Sequence, residues 1–208
     1  MSDTLTLYSN PQSRGRIARW MMEEIGQPYR TEMLEYGGPM KAAAYLSVNP
    51  MGKVPCLVHG EAVVTETAAI CAYMADTFPQ AGLAPTPAER GAYYRWLFFF
   101  AGPVEHAVTN KAMNFDVPAD KAQMAGYGSY DATIAAVERR LIESDYIAGD
   151  RFTAADVYVG AQIGWGLQFG SIPKLPIFGE YAARVMGRDA WARATALDDA
   201  AMPAKGAQ

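Results

Sequence analysis

Cysteine is almost missing from this chain: among 208 residues there are only Cys56 and Cys71. Two cysteines without a Cys-x-x-Cys spacing exclude a disulfide scaffold and fit a reducing compartment, so a cytoplasmic setting is expected. Histidine is as scarce, with His59 and His106 alone and no ligand spacing between them, so no metal is expected. Charge is thin: 19% of residues are charged, the formal net charge is −4, and no block of like charges occurs. A mildly acidic chain of this kind offers no electrostatic footprint for nucleic acid or anionic lipid. No apolar stretch approaches the roughly 18 residues that would cross a bilayer. The N-terminal Met1-Ser2-Asp3-Thr4 lacks the basic region of a signal peptide.

What the chain does have is core-forming material, at 50% hydrophobic and 12% aromatic residues. Its pattern changes once. Up to about residue 78 short alternating runs mix with helical ones, and from about residue 88 the pattern is helical throughout. Between them, Pro79 to Pro87 is rich in proline and suits a connection. The expected organisation is therefore a domain over 1–79, a linker over 80–87, and an all-helical domain over 88–208.

In the first part Leu5-Thr6-Leu7-Tyr8 alternates like a strand, with Tyr8 expected to face the core. A helix from about Ser13 presents Ile17, Trp20, Met21 and Ile25 on one face and stops at Gly26. Thr31 to Leu34 is a second strand, parallel to the first because a helix intervenes. A short helix near Ala42-Leu46, a hairpin around His59-Gly60-Glu61 and a helix over Thr67–Thr77 complete a βαβαββα order, which is that of a thioredoxin-like α/β domain.

The second part reads as five or six helices. Tyr127, Tyr130, Ile134, Val137 and Leu141 make an apolar stripe, and Thr153 with Asp156 has the spacing of a capping box. The helix after it carries Gly160, Gly164, Gly166 and Gly170, which suggests close backbone packing. Gly102-Pro103 predicts a kink just before His106. An Ala-rich tail after Ala196 is expected to fray. Cys56 and Cys71 fall on packed faces and read as buried small apolar residues.

The chemistry lies in Asn49-Pro50-Met51-Gly52-Lys53-Val54-Pro55 and in Glu66-Thr67. A proline opening a buried strand gives up a ladder hydrogen bond. A cis Val54-Pro55 bond would turn the Val54 backbone outward to pair with a peptide-like ligand. Glu66-Thr67 opens a helix, where free amides favour a carboxylate and an acid can hold an ammonium. Together they suit a small zwitterionic peptide.

These segments, with Thr65-Glu66-Thr67-Ala68-Ala69-Ile70, resemble the glutathione-binding core of the soluble glutathione transferases. Ser9-Asn10-Pro11-Gln12-Ser13-Arg14-Gly15-Arg16 is similar to a serine-type branch frequent in bacteria and fungi, and Tyr146 to Asp156 resembles that family's helix-capping motif. The resemblance implies that Val54, ahead of Pro55, pairs with the cysteinyl backbone of glutathione. Glu66 and Thr67 would hold its γ-glutamyl end, and Lys53 and Lys41 would approach its glycine carboxylate. It implies a hydroxyl near the first helix that stabilises the thiolate. An ungapped reading selects Ser9, a longer first loop selects Ser13, and Asn10 is a third donor. The implied activity is conjugation of glutathione to a small hydrophobic electrophile, whose pocket the helical domain would contribute. Glutathione is then a co-substrate, and the chain is expected to form a homodimer. Two other readings share the fold: a glutathione-dependent disulfide or peroxide reductase without a protein cysteine, and a non-catalytic binding protein.

Overall fold

The computed structural model describes residues 4–202. Alternation over Leu5–Ser9 makes β1, with Leu5, Leu7 and Ser9 buried on one face. Tyr8 lies on the other face, half-buried and against the Tyr45 ring at 5.2 Å, rather than in the core with the leucines. Gly15–Ile25 follows as α1, and Tyr29–Met33 is β2, parallel to β1. The expected short helix is two pieces, α2 (Gly38–Lys41) and α3 (Ala43–Leu46), separated by the extended backbone of Ala42. β3 (Cys56–His59) and β4 (Ala62–Thr65) form the hairpin, and α4 spans Thr67–Thr77. The sheet has the order β2-β1-β3-β4, with β1 against β3 and β3 against β4 antiparallel. This is the thioredoxin-like arrangement that the element order predicts.

A second compact unit runs over Pro85–Met186. In it α5 (Arg90–Phe99) passes through a π-helical turn, Phe100–Val104, into α6 (Glu105–Ala112). Pro103 in that turn has no N–H to give, so the regular ladder breaks where Gly102-Pro103 predicts a kink. Then come α7 (Tyr130–Glu143), α8 (Ala154–Phe169) and α9 (Pro176–Met186). Ile134, Val137 and Leu141 are buried as the stripe predicts, while Tyr127 precedes the helix. A Cβ on Gly164 would come within 2.6 Å of the Met186 sulfur, and one on Gly166 within 2.5 Å of Ile172. Close packing therefore holds at Gly164 and Gly166, whereas Gly170 ends α8 in the left-handed region at φ 73° with nothing near it.

The capping box of α8 has both its arms, and it reaches beyond the helix. Asp156 is fully buried. Its Oδ1 accepts from the Ile147 amide and the Tyr181 hydroxyl, each at 2.8 Å, and its Oδ2 from the Thr153 amide at 2.9 Å and hydroxyl at 3.0 Å. Burial pushes this carboxyl above the usual range, and the donors pull against it. One carboxylate so ties the 147 turn, the start of α8 and α9.

The last described helix, α10 (Asp189–Ala200), packs with the first unit, which comprises the described residues up to Ala84 and those from Gly187. The sequence pattern alone puts this helix with the helical domain and frays the tail after Ala196, whereas α10 runs on to Ala200 against α1; residues beyond 202 lie outside the described residues. The cause is α1. Its expected face is buried, but so are Ala18, Arg19 and Met22, because α10 covers a second side. Trp20 and Trp191 meet edge to face at 4.9 Å. Ion pairs run along the seam from Arg16–Asp199 (2.6 Å) through Arg19–Asp198 (2.7 Å) and Glu23–Arg193 (3.1 Å) to Glu24–Arg188 (2.7 Å).

Candidate functional site

The loop before β3 is held from three directions. Tyr45 donates to the Lys53 carbonyl at 2.6 Å, and Asn49 Nδ2 donates to the same oxygen at 2.8 Å. Lys41 Nζ donates to the Met51 and Gly52 carbonyls, both at 2.9 Å. Burial pushes the Tyr45 hydroxyl up to about 12, so it remains a proton donor at neutral pH. Gly52 sits at φ 56°, and a Cβ there would come within 2.5 Å of the Met40 carbonyl oxygen, so only glycine fits. The Val54-Pro55 bond is cis, as expected. Val54 is half-buried, and neither its N–H nor its C=O finds a partner among the described residues. Lys53 is exposed on the same loop.

α4 opens beside this hairpin without any capping side chain, so its first-turn amides are left open. Glu66 precedes it at φ 65° and ψ 119°, a conformation that costs a non-glycine residue on the order of 1–3 kcal/mol. Glu66 is exposed, while Thr67 is 7% exposed. Backbone strain thus sits at an open helix start, with an acid side chain free in solvent.

The three candidates of the first turn are not equivalent. Ser9 is completely buried at the end of β1, and its Oγ has no hydrogen-bond partner. A Cβ on Gly15 would lie 2.1 Å from that oxygen, so Gly15 closes over it. Ser9 cannot touch a ligand without moving α1. Asn10 is 8% exposed and its amide is in use, Oδ1 accepting from the Gln12 amide (2.9 Å) and Nδ2 donating to the Leu34 carbonyl (2.8 Å). Ser13 is half-buried, its Oγ donating to the Asn10 carbonyl at 2.7 Å and accepting from the Gly15 amide at 2.9 Å. Of the three hydroxyl or amide donors, Ser13 is the one with side-chain surface to offer.

Both cysteines are buried, and burial pushes the Cys56 thiol up to about 11 and the Cys71 thiol up to about 12. Neither is a thiolate at neutral pH. Among the described residues no group of His, Cys, Asp and Glu is placed to hold a metal ion, and no helix is long and apolar enough to cross a membrane. Tyr45 is the site residue that sequence reasoning missed. Lys41, expected to approach the ligand, spends two of its ammonium hydrogens clamping the loop.

Comparison with known proteins gives the family. The model of the glutathione S-transferase N-terminal domain matches residues 14–77. Glutathione S-transferase 3 of Zea mays is 31% identical over 165 residues, covering 73% of this chain and 73% of the relative. The crystal structure of a glutathione transferase from Methylococcus capsulatus superposes with a TM-score of 0.76 at 28% identity, covering 94% of this chain and 99% of that one. A sphingomonad glutathione S-transferase, solved as a complex with glutathione, gives 0.73 at 27% identity over 93% and 98% of the two chains. This chain belongs to the glutathione S-transferase family, and it is a transferase.

Proposed function

We propose that the protein binds glutathione along the Val54 edge and adds its thiolate to a small hydrophobic electrophile, as a serine-type member of the family. The observation that carries this is Val54, whose two main-chain groups are left unpaired on a loop that Tyr45, Asn49 and Lys41 hold in place. A cysteinyl backbone fills that gap with two hydrogen bonds, as a strand added to a sheet edge. The γ-glutamyl carboxylate takes the open amides at Thr67 and its ammonium takes Glu66. Lys53, with the remaining hydrogen of Lys41, meets the glycine carboxylate. The glutathione complex of the sphingomonad relative supports the same ligand.

Ser13 supplies the thiolate's hydrogen bond. Its proton now rests on the Asn10 carbonyl, which also accepts the Ser13 amide at 3.1 Å. That carbonyl keeps a donor when the hydroxyl turns to sulfur, so the switch costs little. A charge-assisted hydrogen bond contributes roughly 1.5–3 kcal/mol, which lowers the pKa of a bound thiol by about one to two units. Ser13→Ala is therefore expected to raise the pKa of bound glutathione by that amount, read from thiolate absorbance against pH. Ser9→Ala is the control and leaves the titration where it is. A shift with Ser9→Ala and none with Ser13→Ala would reverse the assignment. Reduction of disulfides or peroxides by glutathione alone would begin from the same thiolate, and nothing in the site favours it.

The homodimer belongs to this reading too. Phe98 on α5 is 71% exposed and Tyr94 is 40% exposed, an aromatic surface that water covers badly. Sedimentation at micromolar concentration is expected to give twice the mass of one chain; a single-chain mass would remove the dimer.

A further inference from the structure

Asn10 to Ser13 is a tight turn, closed by the Ser13 amide donating to the Asn10 carbonyl at 3.1 Å, with Pro11 where such turns favour proline. A turn of this kind leaves its two central carbonyls without a main-chain partner. Each is taken here by one side chain. Tyr36 donates its hydroxyl to the Gln12 carbonyl at 3.2 Å, and Arg16 Nη1 donates to the Pro11 carbonyl at 3.3 Å. The two holds are unequal. Tyr36 is 58% exposed, so water competes for its bond. The Arg16 side chain is 19% exposed, and its second arm, Nη2, donates to Asp199 Oδ1 at 2.6 Å. Arg16 is the second residue of α1, and Asp199 is the last but one of α10. One guanidinium thus ties the turn that ends in Ser13 to both helices. A planar fork spans two acceptors at fixed geometry, which a compact ammonium does not.

We infer that Arg16 is a positioning residue for the thiolate's donor. Through the Pro11 carbonyl it sets the tilt of the turn and with it the direction of the Ser13 hydroxyl, while Asp199 fixes Arg16. The last helix thereby takes part in ionising the bound thiol without touching the ligand. The inference rests on the reading of Ser13 as that donor. The charged groups about Arg16 include Asp199 and Asp198 of α10 and Arg19 of α1. Acting instead as a bare cation, Arg16 would stabilise the thiolate by charge alone, and Asp199 would weaken that effect. The two roles give opposite signs when Asp199 is removed.

The test reads the thiolate absorbance of bound glutathione against pH in the full chain. Arg16→Met, which keeps an apolar stem, is expected to raise the pKa of the bound thiol by about 0.5–1 unit, part of what one hydrogen bond to the thiolate supplies. Asp199→Ala, at a position 61% exposed, is expected to raise it by less, and Asp199→Glu to leave it in place. Affinity for S-methylglutathione, which has no thiol proton, is expected to stay within about twofold in each variant, because the Val54 edge is untouched. Arg16→Met added to Ser13→Ala is expected to raise the pKa no further than Ser13→Ala alone. A lower pKa in Asp199→Ala, or an equal rise from Arg16→Met with and without Ser13, would show that charge acts directly and overturn the inference. So would a titration that Arg16→Met or Asp199→Ala leaves unmoved, or a parallel loss of S-methylglutathione affinity, which marks a merely structural role. If Arg16→Met does not fold, Asp199→Ala decides by its sign. A Ser13→Ala variant that shifts nothing removes the serine reading and this inference together, whereas a shift there and none in Arg16→Met removes this inference alone.

Discussion

Replacing Asp156 by alanine is expected to lower the stability of the helical unit by about 3–6 kcal/mol, the largest effect of any single change considered for this protein. The reason is what remains after the carboxylate has gone. The Ile147 and Thr153 amides and the Tyr181 hydroxyl all point at its oxygens from within 2.9 Å, and the site is fully buried. Each buried donor left unmatched costs about 1–3 kcal/mol, and loss of the helix cap adds about 0.5–2. Asn at this position keeps one acceptor but turns an NH₂ toward donors, so it recovers little. Urea unfolding monitored by circular dichroism gives the difference directly. A loss under about 1 kcal/mol would show that water replaces the carboxylate and that the site is wetter than its burial implies.

Breaking the buried pair between α1 and α10 is expected to cost nearly as much. Arg19 is 5% exposed and Asp198 is 0% exposed. Arg19 Nε donates to Asp198 Oδ1 at 2.7 Å, while its Nη1 reaches the hydroxyls of Tyr29 (3.4 Å) and Thr31 (3.2 Å). The other oxygen, Asp198 Oδ2, has no partner, and burial pushes this carboxyl up despite the arginine. Arg19→Met would leave a buried carboxylate without its cation, a loss of about 3–5 kcal/mol. Arg19→Met combined with Asp198→Leu is expected to regain most of it, because apolar groups of similar volume commonly replace a buried ion pair without loss. The double-mutant cycle decides the matter. If the double variant is as unstable as Arg19→Met alone, packing of the arginine stem rather than its charge holds the seam.

The candidate site was legible because its logic is local. Asn49 to Pro55 and Glu66-Thr67 carry turn, strand-opening and helix-opening chemistry in their own spacing, and the structure brings the two segments to one hairpin. Strand parity carries more than the resemblance does: Leu5, Leu7 and Ser9 share a period of two, which alone places Ser9 on the buried face and Tyr8 on the other. Tyr45 was beyond reach for a different reason. Nothing within α3 says that its hydroxyl will meet the Lys53 carbonyl, since that contact exists only once the loop has folded back. The same holds for Arg19, a charged residue one position from an apolar stripe, whose burial is decided by a helix some 180 residues away. Local periodicity tells that α10 is a helix and is silent on which unit it joins.

That membership has a consequence for biosynthesis. The first unit begins at the amino end of the chain but lacks one wall until residues 187–200 arrive, so Pro85–Met186 is an insertion within it. On the ribosome the insertion is the first unit able to complete its own packing, whereas α1 on the sheet keeps Trp20 uncovered and Arg19 short of its counter-ion until Trp191 and Asp198 have left the exit tunnel. The order of synthesis and the order of completion are reversed, and the nascent α1 is the surface that a chaperone would have reason to hold in the interval.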